Sequence, residues 1–254
     1  MSTRPRVGLF VTCLVDLVRP EVGFAAVKLL EQSGCDVEIP QMQTCCGQPA
    51  WNAGVDGSAA AIARNVISAF ETFDYVVAPS GSCAGMIKRH YPEVFEKDKV
   101  WLPRARALAA KTHELMSFLV HRRGLTAVPA MFRKSICYHD SCSSRREMGA
   151  VEEPRTLLSS VEGLSIKELS DPQICCGFGG LFSVKYPEIS ERMADDKIAD
   201  VVASGADVLV GGDLGCLLHL AGRARRQGHM LEVRHAAEIL ADMNETPALG
   251  ECAP

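Results

Sequence analysis

The sequence predicts an α/β fold of two tandem, pseudo-equivalent domains, each a small parallel sheet with flanking helices. Three observations predict it. The chain carries an internal repeat, it alternates short apolar runs with longer helical patterns, and its 254 residues are enough for two domains of roughly 100–150 residues.

The internal repeat is carried by cysteines. The first half has a lone cysteine, then an adjacent pair followed by glycine, then a further cysteine, and the second half repeats this order at offsets of 129 to 133 residues. The matched cysteines are Cys13, Cys45, Cys46 and Cys83 in the first half and Cys142, Cys175, Cys176 and Cys216 in the second. Because eight of eleven cysteines match and the offset between the halves changes by only four residues, we interpret the pattern as a duplication.

The same strand and helix order is predicted in both halves. β-Branched apolar runs predict strands at 6–11, 36–39 and 74–78, and again at 135–139, 164–167 and 207–210. Apolar periodicity predicts long helices at 55–70 and 187–203, and each half closes with a shorter helix beginning at Thr112 or Arg234. Strands that alternate with helices indicate parallel βαβ units.

The predicted domains are residues 1–128 and 129–254. A hinge is expected between Gly124 and Ala130, because Gly124 and Pro129 interrupt the helical pattern there.

Composition restricts the classes of function. Acidic residues outnumber basic ones by 31 to 27 and no basic run is interleaved with aromatics, so nucleic-acid binding is not expected. No apolar stretch reaches the ~18 residues of a transmembrane helix, and the run from Val7 to Val11 is too short for a signal peptide. We therefore expect a cytoplasmic protein, in which the cysteines bind metal or act chemically rather than form disulfides.

The eight matched cysteines are the candidate metal ligands. Cys13 and Cys142 follow predicted strands, while Cys83 and Cys216 lie where a strand turns into a helix. The carboxyl ends of strands form the binding crevice of open α/β sheets, and a helix start favours the thiolate. Four thiolates in each half satisfy a [4Fe–4S] cluster, a [2Fe–2S] cluster or tetrahedral zinc. The cysteine-bearing segments of each half are separated by gaps of 31 to 39 residues, unlike the closely spaced cysteine pairs of structural zinc sites or the closely spaced cysteines of ferredoxins. The fold must therefore assemble both sites.

Three more residues are weaker candidates. Cys137 has no cysteine twin and is either a small core residue or an alternative ligand to Cys142. His139 either binds the metal group or is a packed histidine at a strand end, and Asp213 is either an oxygen ligand or a helix cap. Of the remaining cysteines, Cys35 is expected in the core and Cys252 on the surface.

Several motifs carry a resemblance to a known family: Cys45-Cys46-Gly47, Cys175-Cys176-Gly177, Tyr138-His139-Asp140-Ser141-Cys142 and the segment 212–219. The chain resembles the duplicated cysteine-rich CCG domain family, whose members include the cysteine-rich subunit of heterodisulfide reductase and the iron–sulfur subunit of glycolate oxidase. Because the match covers nearly the whole chain and leaves no separate ferredoxin domain, the family's stand-alone lactate-utilisation group is nearest.

The resemblance implies an electron-transfer component of a complex that oxidises L-lactate, a 2-hydroxy acid, to pyruvate. It also implies one iron–sulfur cluster per domain, of the [4Fe–4S] type, and partner subunits that include an iron–sulfur or ferredoxin-type protein. The resemblance assigns no catalytic residue to the chain itself.

One departure from the family motif limits the chemistry. The fuller motif ends in Cys-x-x-Cys, but Ser80 and Asp213 occupy its first position here. With four thiolates per half, a non-cubane cluster and disulfide reduction are disfavoured, whereas an ordinary cluster, or zinc in one half, is expected. The alternative to an electron-transfer subunit is a thiol- or metal-dependent enzyme that acts directly on substrate. The electron-transfer role is favoured because the chain lacks a flavin or nicotinamide motif.

Overall fold

The first half folds around a four-stranded parallel sheet with strand order β2-β1-β3-β4 in a computed structural model that describes residues 4–251. Its strands are β1 (Arg6–Leu9), β2 (Asp36–Glu38), β3 (Tyr75–Ala78) and β4 (Thr112–Glu114). Its helices are α1 (Cys13–Val18), α2 (Pro20–Gln32), α3 (Gln48–Asn52), α4 (Asp56–Phe70), α5 (Gly81–Gly85), α6 (Tyr91–Val94), α7 (Trp101–Ala110) and α8 (Leu115–His121), with a π-helical turn at Met86–His90.

The second half repeats this architecture with strand order β6-β5-β7-β8, again all parallel. Its strands are β5 (Ser135–His139), β6 (Ser165–Ile166), β7 (Val208–Gly211) and β8 (Glu232–His235). Its helices are α9 (Glu152–Leu158), α10 (Leu181–Lys185), α11 (Pro187–Ser204), α12 (Leu214–Arg226) and α13 (Ala236–Leu240), with a π-helical turn at Ser144–Met148. The predicted α/β fold with two pseudo-equivalent parallel sheets is confirmed.

One segment of the second repeat packs within the first compact unit. The first unit comprises residues 4–125 and 143–150, and the second comprises 126–142 and 151–251. The segment fits closely on α5 because two glycines there lack side chains: a Cβ at Gly81 would lie 1.9 Å from Ser144 Oγ, and one at Gly85 would lie 2.0 Å from Glu147 Oε2.

The closing segments of both halves differ from the prediction of a helix. Thr112–Glu114 is strand β4 and Glu232–His235 is strand β8, and each runs straight into a helix. The last strand residue caps that helix: Glu114 accepts the Ser117 N–H at 2.9 Å, and His235 Nδ1 accepts the Ala237 N–H at 3.1 Å. Because polar capping residues end these very short strands, the apolar alternation that identifies a strand is missing.

The core of the first unit extends to its cysteines. α4 buries one face, Ala59, Ala63, Val66, Ile67 and Phe70, at the spacing expected for an amphipathic helix. The same apolar cluster includes Phe10 and Tyr91 together with Cys46 and Cys83. No helix between residues 4 and 251 combines the length and hydropathy needed to cross a bilayer.

Candidate metal centres

Both sheets reverse their strand order at the point where the cysteines lie. In the first sheet the reversal falls between β1 and β3, and in the second between β5 and β7. Such a reversal opens a crevice at the carboxyl ends of the two strands. Cys13 begins α1 after β1, and Cys83 lies in the first turn of α5 after β3. Cys142 and Cys216 follow β5 and β7 in the same way.

The first quartet, Cys13, Cys45, Cys46 and Cys83, comes together in the first unit. The Sγ atoms of Cys13 and Cys45 are 3.8 Å apart. Cys45 is also hydrogen-bonded to Cys46, and Cys46 to Cys83. Cys46 and Cys83 are buried, whereas Cys13 and Cys45 are half-buried. The quartet therefore forms a continuous row of sulfur atoms from the core towards the surface.

The second quartet, Cys142, Cys175, Cys176 and Cys216, has the same order of contacts. Cys175 is hydrogen-bonded to Cys142 and to Cys176, and Cys176 is hydrogen-bonded to Cys216. Here too the last two thiols are buried and the first two are half-buried. The structure thus brings the eight sequence-predicted cysteines together four by four, one quartet in each unit.

The glycine of each Cys-Cys-Gly turn brings a backbone donor to sulfur. Gly47 and Gly177 have φ of 85° and 82°, a left-handed conformation that favours glycine. In this conformation the Gly47 N–H donates to Cys45 Sγ at 3.5 Å, and the Gly177 N–H donates to Cys175 Sγ at 3.4 Å. Such N–H···S bonds stabilise a thiolate and tune the potential of an iron–sulfur cluster.

A hydroxyl group anchors each of these turns. The buried Tyr91 hydroxyl donates to the Cys46 carbonyl at 2.9 Å in the first unit. In the second unit Ser190 Oγ donates to the Gly177 carbonyl at 2.8 Å and lies 3.2 Å from His219 Nε2. Sequence analysis did not identify these anchors, because Tyr91 and Ser190 lie on different elements and share no motif.

Proton sharing sets the ionisation of the first quartet. Hydrogen bonds from Cys13 and then Cys46 lower the pKa of Cys45. The hydrogen bond to Cys45, followed by burial, raises the pKa of Cys13, and the hydrogen bonds to Cys45 and Cys83 raise that of Cys46. A metal ion that binds these sulfurs must displace the remaining thiol protons, so affinity rises with pH.

His139 lies beside the buried end of the second quartet. A ring nitrogen of His139 and the sulfurs of Cys176 and Cys216 all lie within 4.8 Å of one another. The imidazole is 1% exposed, and neither ring nitrogen has a hydrogen-bond partner within the described part of the chain. Burial, and then the nearby charge of Lys197, lowers the pKa of His139 to about 3, so the ring is neutral.

The structure places the other candidates differently. Cys137 is fully buried with Ser204 as its hydrogen-bond partner, and burial raises its pKa to about 11. Asp213 occupies the N-cap position of α12 but makes no side-chain cap bond to that helix. Its counterpart Ser80 does cap α5, accepting the Cys83 N–H at 3.3 Å. The expectation that Cys35 is a core residue is confirmed, and Cys252 lies outside the described residues.

These donor sets fit a metal or iron–sulfur group. Each unit supplies four linked cysteine thiols and a turn glycine whose N–H donates to sulfur, and a groove lies beside Cys13 and Cys45 in the first unit. The second unit adds a buried imidazole that lacks another partner among residues 4–251. Soft thiolate ligands select zinc and iron–sulfur clusters over harder cations.

Comparisons with known proteins identify the repeated unit. The family model for the CCG cysteine-rich domain matches residues 7–88 and again 136–221. A crystal structure of a hypothetical protein from Helicobacter pylori superposes with a TM-score of 0.66 at 10% identity, covering 97% of this chain and 52% of that one. This chain therefore spans about half the length of that structure, and the likeness concerns the fold alone.

Curated relatives match over nearly their full length. Lactate utilization protein A from Exiguobacterium sp. is 48% identical over 238 residues, which cover 93% of this chain and 97% of that protein. The protein of the same name from Bacillus cytotoxicus is 48% identical over 235 residues, covering 92% and 98%, and that from Halalkalibacterium halodurans is 44% identical over 241 residues, covering 95% and 98%. With both repeats and nearly the whole length matched, the chain belongs to the CCG cysteine-rich domain family, together with the lactate utilization proteins A.

Proposed function

We propose that this chain is the iron–sulfur electron-transfer component of a complex that oxidises L-lactate to pyruvate. Each quartet would hold one [4Fe–4S] cluster. The observation that carries the proposal is the pair of cysteine quartets with the same order of contacts at the same point of two equivalent sheets. The name of the curated relatives supplies the pathway, lactate utilisation.

Each part of the chain has a separate task in this function. The two cysteine quartets would hold the clusters, which supply one-electron transfer when bound. The N–H groups of Gly47, Gly177 and Phe178 stabilise negative charge on cysteine sulfur at 3.4 to 3.5 Å. The hydroxyl anchors of Tyr91 and Ser190 hold the turns, so that little of the chain needs to reorganise when charge changes.

A groove beside the first quartet supports electron exchange with a partner. A cavity of about 380 Å³ is lined by Cys13 and Cys45 together with Leu17 and Ile39. Leu17 is 79% exposed and Ile39 is 48% exposed, so apolar side chains are accessible beside the half-buried sulfurs. We propose that other subunits of the complex, including a ferredoxin-type iron–sulfur protein, dock at this groove.

We place the complex in the cytoplasm, because reducing conditions there keep thiols free.

A second candidate function is a zinc- or thiol-dependent enzyme that acts on substrate itself. The convergence of His139 with Cys176 and Cys216 favours it, because mixed cysteine and histidine ligands are typical of zinc. Zinc in the second unit alone would remain compatible with electron transfer through the first.

Activity measurements separate the two candidates. Protein purified without air is incubated with L-lactate and an artificial electron acceptor, first alone and then with the other subunits of the complex. We expect no turnover by the chain alone and reduction of its clusters once the partners are present. Turnover of lactate by the chain alone contradicts the electron-transfer proposal and supports the enzyme.

A further inference from the structure

The two quartets differ in one neighbouring side chain. At the 129-residue offset that relates Cys13 to Cys142, His139 corresponds to Phe10. Phe10 is fully buried, and its ring lies 5.6 Å from that of Phe70 in the core cluster that contains Cys46 and Cys83. The first unit therefore presents a hydrocarbon ring where the second presents an imidazole.

The environment of His139 lacks the partner that a buried imidazole requires. Its side chain is 1% exposed, and among residues 4–251 neither nitrogen finds a hydrogen-bond donor or acceptor. A buried polar group without a partner is unfavourable, and such exceptions in native proteins commonly mark an ion or a functional role. The nearest metal-binding atoms are the sulfurs of Cys176 and Cys216, within 4.8 Å.

A metal centre on the second quartet would satisfy this imidazole. Cys176 and Cys216 are the two most buried thiols of that quartet, and His139 lies beside them at the end of β5. Neutral imidazole binds zinc and iron through a ring nitrogen, and protein iron–sulfur centres accept imidazole in place of thiolate. The first unit offers no such donor at the position of Phe10.

We propose that His139 is a nitrogen ligand of the metal centre on the second quartet, so that the two units hold chemically different centres. The first is bound by four thiolates, and the second by one imidazole and three thiolates of its quartet. This inference rests on the proposed function in so far as the second quartet binds a metal or a cluster.

The difference between the centres has a consequence for electron flow. An imidazole in place of a thiolate carries no negative charge, and such replacement raises the reduction potential of an iron–sulfur centre. The second centre is therefore the one that an electron occupies first. Replacing His139 with Phe makes the second site like the first and lowers its potential.

Pulsed EPR on isotope-labelled protein tests the ligand without any substitution. Protein grown with ¹⁵N-histidine and purified without air is reduced, and the nitrogen couplings of its clusters are compared with those of unlabelled protein. We expect one strong coupling from a directly bonded ring nitrogen, which changes with the histidine label. Backbone N–H···S nitrogens do not respond to this label.

Two variants assign the coupling to its site. His139→Phe abolishes it and lowers the reduction potential of the second centre, because the fourth thiolate of the quartet then takes the place of the imidazole. Cys46→Ser, which removes only the first centre, retains the coupling. Circular dichroism establishes that both variants fold, and His139→Gln replaces the phenylalanine variant if that one does not.

The outcomes separate this inference from the proposed function. Iron and sulfide in both units without a histidine coupling, and with potentials unchanged in His139→Phe, overturn the ligand and leave the electron-transfer role standing. Zinc without iron in both units overturns the electron-transfer role. X-ray absorption at zinc then decides the ligand, because a shell of sulfur alone contradicts His139 and a mixed nitrogen and sulfur shell supports it.

Discussion

Gly177 packs directly against the backbone carbonyl of Ser190: a Cβ added to Gly177 would lie 2.4 Å from that oxygen. The contact is reciprocal, since Ser190 Oγ donates to the Gly177 carbonyl at 2.8 Å. The Cys175-Cys176-Gly177 turn is therefore fixed to α11 from two sides, and the Gly177 N–H is left pointing at Cys175 Sγ.

Gly177→Ala is expected to destabilise the second unit and its metal site. The left-handed φ costs about 1–2 kcal/mol for a residue with a Cβ, and the collision with Ser190 adds about 1–3 kcal/mol. Chemical unfolding measures the loss, and metal content reports on the site. Gly124→Ala is the matched control, because Gly124 has φ of 68° but no atom near its absent Cβ. Equal losses in the two variants contradict the packing argument.

Single substitutions in the quartets are expected to remove one centre each. Cys46→Ser and Cys176→Ser should each abolish metal uptake in their own unit and leave the fold intact, since the strands form independently of the sulfurs. Iron and sulfide per chain then fall by about half, because one of two centres is lost. Cys35→Ser is the control: Cys35 is equally buried but lies outside the quartets, beside Ser33 Oγ at 3.6 Å. Loss of iron in Cys35→Ser contradicts the assignment.

Arg155 is expected to be important for stability next to the second quartet. It donates through both terminal nitrogens to Asp140 at 2.9 Å, and the Asp140 side chain is only 3% exposed. Arg155→Ala leaves this carboxylate buried without its ion pair, which typically costs about 3–5 kcal/mol. Arg133→Ala breaks an exposed pair with Glu162 and should cost less than about 1 kcal/mol. Similar losses in the two variants, measured by urea unfolding, disagree with this reasoning.

Acid is expected to destabilise the metal-free protein through two buried histidines. Burial lowers the pKa of His113 to about 4 and that of His139 to about 3. The pKa of an ordinary histidine is about 6.5, so below pH 6.5 the unfolded chain binds more protons than the folded one. The free energy of unfolding therefore decreases as pH falls from 6.5 towards 4. The limiting slope is about 1.4 kcal/mol per pH unit for each histidine.

Urea unfolding at pH 7, 6 and 5 measures this dependence. His113→Phe, whose ring can pack between Tyr75 and Phe118, should reduce the slope. His229→Asn replaces an exposed histidine and should leave the slope unchanged. A slope that His113→Phe leaves unchanged shows that this histidine is not the cause.

The repeat in the sequence was sufficient to predict the fold class and the strands that carry the cysteines. The strands predicted from apolar runs placed Cys13 and Cys83 at strand ends, because strand, turn and helix follow one another directly there. β4 and β8 were missed, since their capping residues, Glu114 and His235, obscure the strand pattern. Local pattern cannot show such a conflict between capping and strand formation.

Other features depend on contacts that sequence patterns do not encode. The segment 143–150 joins the first unit because Gly81 and Gly85 make room for it, and nothing near Cys142 signals that contact. The difference between His139 and Phe10 was present in the aligned repeats. Its meaning depends on burial, because the same histidine with a hydrogen-bond partner would be an ordinary core residue.

The central claim is that each quartet binds its own iron–sulfur cluster, and metal analysis of protein purified without air tests it most directly. We predict about eight iron and eight sulfide per chain, as two [4Fe–4S] clusters require, with EPR signals that Cys46→Ser and Cys176→Ser remove one at a time. Protein that contains neither iron nor sulfide, and whose eight quartet thiols all react with a thiol reagent after anaerobic purification, would contradict the claim.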